Sequence, residues 1–278
     1  MQLSAIQTFL AVAETGALSR AADRLNVSQS TVTARLNALE DQIGQPLIHR
    51  RRSGAELTPA GFKFQRYAEL IGQLWKQAQL ETSLPAAISS VCNIGCHFDL
   101  WSGYADALVR MLKQRAPGVA FSVWPGEQTD IDRWLGNGLI EAAFCHAPPQ
   151  MDGLTHHALR PEKLLMCSTL DVMAANDQQA QVYVDFGEAF RRDHAKAFAN
   201  AATPMATFGS AALALDYLIE YGGTAYLPMR LAEPYLDSGV LKRIPTAPIF
   251  SRSVWFACME RVEALTPVIG EYVTELRQ

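Results

Sequence analysis

The 278-residue sequence is poor in the features that mark membrane proteins, exported proteins and several enzyme classes. No stretch approaches the roughly 18–20 apolar residues that span a bilayer. The apolar amino-terminal segment has no leading positive charge and is interrupted by Glu14, so an export signal is not expected. The sequence contains no Gly-rich phosphate loop, no G-x-S-x-G serine elbow and no compact metal-ligand motif. These absences predict a cytoplasmic protein that has no membrane partner and is not an enzyme.

Cysteine is scarce as well, and the five cysteines form an odd number. Without an export signal, we expect reduced thiols. Cys92 and Cys96 with the adjacent His97, together with Cys145 and His146, leave open a metal site or a thiol redox switch. Four-residue spacing along a strand does not give the compact geometry of a zinc site, and buried free thiols are the more common outcome. We therefore predict neither a metal nor another cofactor.

Charge is distributed unevenly along the chain. The net charge is −4, but residues 1–90 contain nine Lys and Arg against seven Asp and Glu, whereas the remainder contains 15 against 21. A net positive amino-terminal third followed by a net negative remainder favours a nucleic-acid-binding module fused to a second domain. The length suggests about two domains, and a hydrophobic content of 49% is sufficient for buried cores.

Residues 18–43 predict two helices joined by a tight break. The small side chains of Ala21 and Ala22 allow one helix to approach another closely. Ser28 is a good N-cap for the second helix, because its hydroxyl can accept a hydrogen bond from the next turn. Helix pairs of this kind also occur in ordinary helical domains, so the pair alone does not predict DNA binding. The apolar stripe of the second helix consists of Val32, Leu36, Leu39 and Ile43.

A run of basic residues follows the helix pair. Residues 49–53 are His-Arg-Arg-Arg-Ser, Gly54 comes next, and Pro59 lies in the first turn of another helix. A basic hairpin beside two helices is the layout of a winged helix-turn-helix, in which the hairpin is a wing that lies against DNA phosphates. The alternative is a charge run that simply faces solvent.

Residues 59–88 predict a long helix with one apolar face. A small domain has too little surface to cover such a face, so we expect a second subunit to bury it. Packing against the chain's own carboxy-terminal domain is the alternative. The predicted dimerisation residues are Tyr67, Leu70, Ile71, Leu74, Trp75 and Ala78.

From Ser90 onward, short β-prone runs alternate with helical ones. Strands are predicted near residues 91–95, 119–124 and 140–145, and a helix is predicted near 211–221. This alternation favours parallel sheets with crossover helices. About 190 residues suffice for two small α/β lobes with a cleft between them.

The first ninety residues closely resemble the LysR-type transcriptional regulators. The carboxy-terminal region is similar more loosely, through an Ile-Gly-Cys first strand and the Gly-Gly-Thr-Ala-Tyr-Leu-Pro segment at residues 222–228. Thr33 and Ile48 stand where the family often has Ser and Phe, and both changes keep shape and polarity. The matching residues are Phe9, Ala13, Gly16, Ser19, Ala21, Ala22, Leu25, Ser28, Gln29, Leu39, Glu40, Gly44, Leu47, Arg50, Leu57, Thr58 and Gly61.

The resemblance implies a bacterial transcription regulator with an α+β multidomain fold. It implies a winged helix-turn-helix at residues 1–58, a dimerising linker helix at 59–88, and a two-lobed α/β effector domain, like a periplasmic binding protein, at 89–278. Lobe I would cover about residues 89–161 and 261–278, and lobe II about residues 162–260. Such proteins act as homodimers or homotetramers on promoter DNA, and RNA polymerase is a further expected partner.

The resemblance also places the helix that starts at Gln29 in the major groove of double-stranded DNA. Gln29 can present its amide to adenine, Ser30 and Thr33 suit thymine, and Arg35 suits guanine or a phosphate. The wing would contact phosphates or the minor groove. The predicted DNA-binding residues are Ser28, Gln29, Ser30, Thr31, Thr33, Arg35, Arg50, Arg51, Arg52, Lys63 and Arg66.

In similar proteins a small effector binds between the two lobes. Asp99 is unusual there, because many relatives have Ser or Thr in the first of the contacting turns. Its carboxylate can cap a helix or contact the ligand, and in either role it would repel a simple anion. A neutral, aromatic or amine-bearing effector is therefore predicted. The alternatives are a regulator without a small ligand and a thiol-redox-responsive regulator. The predicted effector-binding residues are His97, Phe98, Asp99, Trp101, Glu127, Gln128, Thr129, His146, Phe208, Gly209, Ser210 and Tyr226.

Overall fold

The computed structural model describes residues 2–51, 54–169, 181–199, 203–260, 262 and 267–277. The chain divides into two compact units, Met1–Pro85 and Ala86–Gln278. The first unit has its own hydrophobic core, and the second has separate cores around its two main sheets. Across the described ranges, no helix is both long enough and apolar enough to cross a membrane.

The first unit consists of helices and a small hairpin. The predicted break between its second and third helices is present, with Asn26 (φ 53°) after the second helix, and Gly16 and Gly44 adopt left-handed C-cap conformations after the first and third. The Ser28 hydroxyl accepts a hydrogen bond from the backbone N–H of Thr31, as an N-cap does. The elements are α1 (Leu3–Thr15), α2 (Leu18–Leu25), α3 (Gln29–Ile43), the antiparallel strands β1 (Ile48–Arg51) and β2 (Gly54–Leu57), and α4 (Pro59–Thr82).

The core of the first unit lies between α1, α2 and α3. Phe9, Val32 and Leu36 are fully buried, and their removal from water is the main favourable contribution to folding here. Ala21 and Ala22 are buried as well, which allows α2 to pack closely. The polar residues of α3 are therefore left on the opposite face of the helix.

Two glycines allow the hairpin to approach its neighbours. A Cβ at Gly54 would lie 2.7 Å from the carbonyl oxygen of Gly16, which accepts a 2.8 Å hydrogen bond from the N–H of Ala55. A Cβ at Gly61 would lie 2.1 Å from the carbonyl oxygen of Leu47. Both distances exclude a side chain, so glycine is needed at each position.

The first sheet of the second unit has the strand order β4-β3-β5-β13-β6. β3 runs parallel to β4 and β5, as the sequence pattern predicts, whereas β13 pairs antiparallel with β5 and β6. The elements around this sheet are β3 (Ser90–His97), α5 (Asp106–Arg115), β4 (Val119–Gly126), α6 (Gln128–Gly136), β5 (Ala142–Cys145), β6 (Leu154–Ala158), β13 (Trp255–Met259) and α10 (Pro267–Arg277).

The second sheet is centred on β7, which pairs antiparallel with β10, β11 and β12, while β8 and β9 form a separate parallel pair. The expectation of parallel sheets is thus only partly correct. Parallel neighbours need crossover connections, and several strands here return to a sheet in the opposite direction. The elements are β7 (Glu162–Ser168), β8 (Val182–Val184), α7 (Glu188–Ala197), β9 (Ala206–Phe208), α8 (Ala211–Tyr221), β10 (Thr224–Pro228), α9 (Met229–Asp237), β11 (Lys242–Arg243) and β12 (Phe250–Arg252).

Candidate nucleic-acid interface and ligand cleft

The first turns of α3 present a polar surface. Gln29 and Ser30 are exposed, and Thr33 is half-buried one turn later. The Ser28 hydroxyl lies 2.7 Å from the Ser30 hydroxyl and 2.8 Å from that of Thr31. The Ser28 hydroxyl thus hydrogen-bonds with both of these hydroxyls at the start of the helix. Gln29 and Thr33 are therefore better placed than Ser28 or Thr31 to contact an outside partner.

Arg50 and Glu40 fasten the wing to α3. Arg50 donates a hydrogen bond to Asn37 and lies 3.7 Å from one oxygen of the Glu40 carboxylate. The other oxygen of Glu40 accepts hydrogen bonds from the backbone N–H groups of Leu47 (2.7 Å) and Ile48 (3.0 Å). The angle of the hairpin to the helix is thus set by a carboxylate, which hydrogen-bonds to backbone donors more strongly than a neutral group.

The arginines of the wing differ from one another. The Arg51 side chain is 61% exposed and pairs with Glu56 on the neighbouring strand at 3.2 Å. Arg51 can exchange this surface pair for a phosphate at little cost, because exposed ion pairs contribute little free energy. Arg50 is more constrained by its contacts to α3. Arg52 lies outside the described residues.

The amino-terminal half of α4 carries two further basic residues, and both Lys63 and Arg66 are exposed. The Arg66 guanidinium lies 4.6 Å from the centroid of the Tyr67 ring and donates a hydrogen bond to the Tyr67 hydroxyl at 2.6 Å. The predicted phosphate contact of Arg66 therefore competes with a contact to a predicted dimerisation residue.

The apolar face of α4 is largely uncovered. Tyr67, Leu74 and Trp75 are 50%, 40% and 48% exposed. Ile71 instead packs against the core of the first unit. The remaining predicted dimerisation residues are Leu70, which is half-buried, and Ala78, which is exposed.

A cavity of about 330 Å³ opens between the two main sheets of the second unit, and we call it the interlobe cleft. Five predicted effector-binding residues line it, together with the charged side chains of Asp185, Arg191 and Arg252, which were not predicted. No local motif marks those three residues, because Asp185 follows β8, Arg191 lies in α7 and Arg252 ends β12. The lining residues are His97, Glu127, Gln128, His146, Ala147, Asp185, Phe186, Gly187, Arg191, Gly209 and Arg252.

Other predicted effector-binding residues lie elsewhere. Phe98 and Trp101 are 45% and 47% exposed and are not among the lining residues of the cleft. The same holds for Asp99 and for Thr129, Phe208 and Ser210. Tyr226 lines a different cavity, beside the second sheet. A residue that the sequence places in a turn at the cleft therefore does not always direct its side chain into the cleft.

Asp99 joins the two sheets. Its buried carboxylate accepts hydrogen bonds from the backbone N–H of Ala211 (2.8 Å) and the Ser210 hydroxyl (3.0 Å), and it pairs with Arg252 at 3.1 Å. Its charge is therefore compensated, and the predicted repulsion of an anionic ligand by Asp99 is not supported. The carboxylate instead occupies the amino terminus of α8, the kind of place where an anion would bind.

Arg230 makes a second set of polar contacts, beside those of Asp99. The Arg230 guanidinium pairs with the buried carboxylate of Glu162 at 2.5 Å and donates hydrogen bonds to the backbone carbonyls of Asp99 and Ser102. Arg230 follows β10, whereas Asp99 and Ser102 follow β3. The two arginines thus hold the turn after the first strand against the second sheet.

Two histidines on the cleft wall are held in defined orientations. His97 Nδ1 accepts a 3.3 Å hydrogen bond from the N–H of Asp99, so the proton of a neutral ring is on Nε2, which faces Glu127 at 3.5 Å. Burial lowers the pKa of His97, and nearby Arg252 lowers it further. Burial also lowers the pKa of His146 to about 2, again with help from Arg252. Both imidazoles are therefore neutral near pH 7.

The cleft combines both signs of charge with an aromatic surface. Asp185 and Arg191 pair at 2.6 Å, and the Glu127 carboxylate is 57% exposed. The Arg252 guanidinium lies 5.2 Å from the ring centroid of Phe186, and its Nε is buried without a hydrogen-bond acceptor among the described residues. Such a surface can bind a small molecule that has polar groups and an apolar part.

The five cysteines are buried and form no disulfide bond. Burial raises the pKa of Cys92, Cys96 and Cys145 to about 12, and that of Cys167 to about 11. A thiol with such a pKa is a poor nucleophile at neutral pH, which disfavours the redox-switch alternative. Within the part of the chain that the structure describes, no three His, Cys, Asp or Glu side chains are grouped to hold a metal ion.

Comparison with known proteins assigns the family. Residues 3–62 match the family described as "Bacterial regulatory helix-turn-helix protein, lysR family", and residues 86–278 match the "LysR substrate binding domain". The HTH-type transcriptional regulator HdfR of Yersinia pestis (strain Pestoides F) is 26% identical over 259 residues, which cover 88% of this chain and 87% of that protein.

Solved structures show the same fold. CbnR complexed with its target DNA is similar with a TM-score of 0.73 and 21% identity, covering 100% of this chain and 99% of that one. LysG from Corynebacterium glutamicum with bound effector Arg is similar with a TM-score of 0.56 and 19% identity, with full coverage of both chains.

The chain belongs to the LysR family. It is a DNA-binding transcriptional regulator with an amino-terminal helix-turn-helix and a carboxy-terminal effector-binding domain. The family, the fold class and this general function, predicted from the sequence, are confirmed.

Proposed function

We propose that the chain inserts α3 into the major groove of promoter DNA and that a small molecule in the interlobe cleft modulates this binding. The observation that carries the proposal is the exposed amino-terminal face of α3 beside a wing fastened by Glu40. Residues 1–58 form the DNA-binding domain, 59–88 the linker helix and 89–278 the effector domain. The protein is a cytoplasmic regulator, not an enzyme, with RNA polymerase as a further partner.

Three side chains of α3 recognise bases. Gln29 donates to and accepts from adenine through its amide, Thr33 contacts a thymine methyl, and Arg35 reaches guanine or a phosphate. The hydroxyls of Ser28 and Thr31 hold the start of the helix, and their contacts with each other support this division. Ser30 is exposed and adds a hydroxyl at the edge of the surface.

Basic residues on either side of α3 contact phosphates. Arg51 has the most accessible described side chain of the wing arginines, with Arg50 beside it and Arg52 next in sequence. Lys63 and Arg66 extend the basic surface onto α4. Phosphate contacts set the orientation of the protein on DNA but carry no sequence information.

The protein acts as a homodimer or homotetramer through α4. The uncovered face with Tyr67, Leu74 and Trp75 supports this proposal, because a large apolar surface on a helix is usually buried against a partner. Leu70 and Ala78 extend the same face, while Ile71 anchors the helix to the first unit.

The effector is a neutral, aromatic or amine-bearing molecule. Glu127 offers a carboxylate to an amine, and Phe186 offers a ring to an aromatic group. Asp99 already fills the amino terminus of α8, so a ligand carboxylate cannot use those donors. LysG, whose structure was solved with bound effector Arg, supports an amine-bearing ligand for this fold.

The test measures binding of operator DNA, found by genomic footprinting, to the parent protein and to Gln29→Ala. Loss of the adenine-binding amide lowers operator affinity by about 1–3 kcal/mol and relaxes base preference at one position. Gln42→Ala is the matched control, since Gln42 is exposed near the other end of α3. Equal affinity losses for both variants, or unchanged base preference, would refute the role of Gln29.

The Asp99 contacts also favour a second candidate function, a DNA-binding regulator that needs no small ligand. The carboxylate links the two sheets without any added molecule. Candidate amines and aromatic molecules that neither raise the melting temperature nor change gel-shift titrations would support this candidate, because a ligand specific to the folded state must stabilise it.

A further inference from the structure

A second cavity, separate from the interlobe cleft, lies between β8, α7 and the second sheet and has a volume of about 300 Å³. We call it the aromatic cavity. It is enclosed mainly by rings on β8, α7 and β10, and no described residue lines both it and the cleft. Its aromatic walls are Tyr183, Phe190, His194, Phe198 and Tyr226.

His194 is the centre of this group of rings. Its ring centroid lies 5.2 Å from that of Phe190, 4.8 Å from that of Phe198 and 5.3 Å from that of Tyr183. Edge-on and tilted arrangements of this kind also accommodate an additional ring at favourable geometry. The walls therefore suit a planar aromatic molecule better than a saturated one.

Charge is absent from the described lining of the aromatic cavity. A bound cation or anion would have no counter-charge there and would pay the cost of leaving water. The Tyr226 hydroxyl already donates to the carbonyl of Pro248 at 2.9 Å. His194 makes no hydrogen bond with a described residue, so its imidazole is available to a ligand. Burial lowers the pKa of His194, which keeps the ring neutral.

We propose that the aromatic cavity is a second binding site, which takes a neutral planar aromatic molecule of about two rings that hydrogen-bonds to His194. The size follows from a comparison of volumes, because an apolar cavity of about 150 Å³ accommodates benzene. A cavity twice as large holds a bicyclic molecule. This site is independent of the effector site in the interlobe cleft.

The experiment titrates the full-length protein with 2-naphthol by calorimetry and compares two substitutions on α7. Ala195 and Ala197 are both exposed on this helix, but only Ala195 lines the cavity. Ala195→Leu places extra atoms in the cavity and reduces 2-naphthol affinity at least tenfold. Ala197→Leu, the matched control, leaves affinity unchanged. A cooperative thermal unfolding transition of the second unit, like that of the parent, verifies that both variants fold.

Four further titrations test the chemistry and the location of the ligand. His194→Phe keeps a ring but removes the hydrogen bond, and it lowers 2-naphthol affinity about three- to tenfold. The anion 2-naphthoate binds at least tenfold more weakly than 2-naphthol, as does the saturated analogue 2-decalol. Gln128→Ala, a change in the interlobe cleft, has no effect on 2-naphthol.

Several results would overturn the proposal. Absence of saturable 2-naphthol binding to protein whose second unit unfolds cooperatively would do so. Equal effects of Ala195→Leu and Ala197→Leu would place the molecule elsewhere. A Gln128→Ala effect would assign it to the cleft, and equal binding of 2-naphthoate or 2-decalol would contradict a neutral aromatic ligand.

Discussion

The polar face of α3 and the interlobe cleft differ in how their residues come together. Gln29 and Thr33 lie on adjacent turns of one helix, and the Glu40 carboxylate that fastens the wing bonds to backbone only 7 and 8 residues away. In the second unit, Asp99 pairs with Arg252 across 153 positions and with Ala211 across 112. A site built from local contacts is visible in a sequence motif, whereas one built from distant strand ends is not.

The two sites also differ in exposure, and this changes the energetics of their charges. Arg51 and Glu56 are both more than half exposed, but the side chain of Asp99 is 0% exposed and that of Arg252 is 11% exposed. Exposed pairs are screened by water and salt. Breaking a buried pair leaves a charge without compensation. Substitutions in the two regions should therefore have effects of different size and kind.

The largest effect is expected for the buried pair of Asp99 and Arg252, which are distant along the chain. Arg252→Ala leaves the buried Asp99 carboxylate without its cation and lowers the free energy of unfolding of the second unit by about 3–5 kcal/mol. Urea denaturation followed by tryptophan fluorescence measures it. Arg192→Ala, which removes the exposed pair with Asp193, changes stability by at most about 1 kcal/mol. A similar small change for both variants would mean that Asp99 is compensated by its hydrogen bonds alone.

A smaller effect concerns pH. The folded pKa of His146 is about 2 because of burial and nearby Arg252, whereas the unfolded value is about 6.5. Because the folded pKa is depressed, the unfolded state takes up the proton first. This contribution to stability is complete above pH 6.5 and falls by about 1.4 kcal/mol per pH unit below it.

The measurement compares unfolding free energies at pH 7.5 and pH 5.0 for the parent protein and His146→Gln. The parent loses about 2 kcal/mol more than the variant over this interval. His49→Gln, at an exposed wing position, is the control and behaves like the parent. An identical pH dependence of parent and His146→Gln would show that the imidazole is not buried in the neutral form.

The smallest effect is expected for the exposed Arg51 on the wing, in the DNA-binding unit. Arg51→Ala removes one phosphate contact, so it weakens binding across all DNA sequences and reduces the slope of log affinity against log salt by about one unit. Filter binding or gel shifts at several salt concentrations measure this slope. Arg192→Ala again serves as the control. Equal affinity of Arg51→Ala and the parent at every salt concentration would reject the phosphate contact.

Local patterns predicted the first unit well. The Ser28 cap, the tight break before it and the apolar stripe of α3 each constrain the chain within a few positions, and the observed helix is Gln29–Ile43. Alternating β and helical runs also located β3, β5 and α8 in the second unit. The sequence analysis did not identify β6 or α9, because β6 lies in a loop-like segment and α9 contains Pro234.

In the second unit, the direction of the side chains was the main reason why predicted effector-binding residues do not line the interlobe cleft. His97 and Asp99 are two residues apart, but His97 lines the cleft while Asp99 is buried against α8. Phe98 between them points to solvent. The short irregular turns that follow β3, including Gly103 with φ 84°, break any regular period, so no pattern indicates which side chain enters the cleft.

The amino-acid order by itself determined the family, the helix pair with its wing, and the polar residues on the exposed face of α3, because those features depend on spacings of a few residues. The tertiary structure alone decided that Asp99 is neutralised by Arg252 and that Tyr226 belongs to a second cavity. It also decided that Arg50 is held against α3, whereas Arg51 pairs only with the exposed Glu56. The physical reason is that burial and charge compensation depend on partners that are distant along the chain and meet only when the sheets pack.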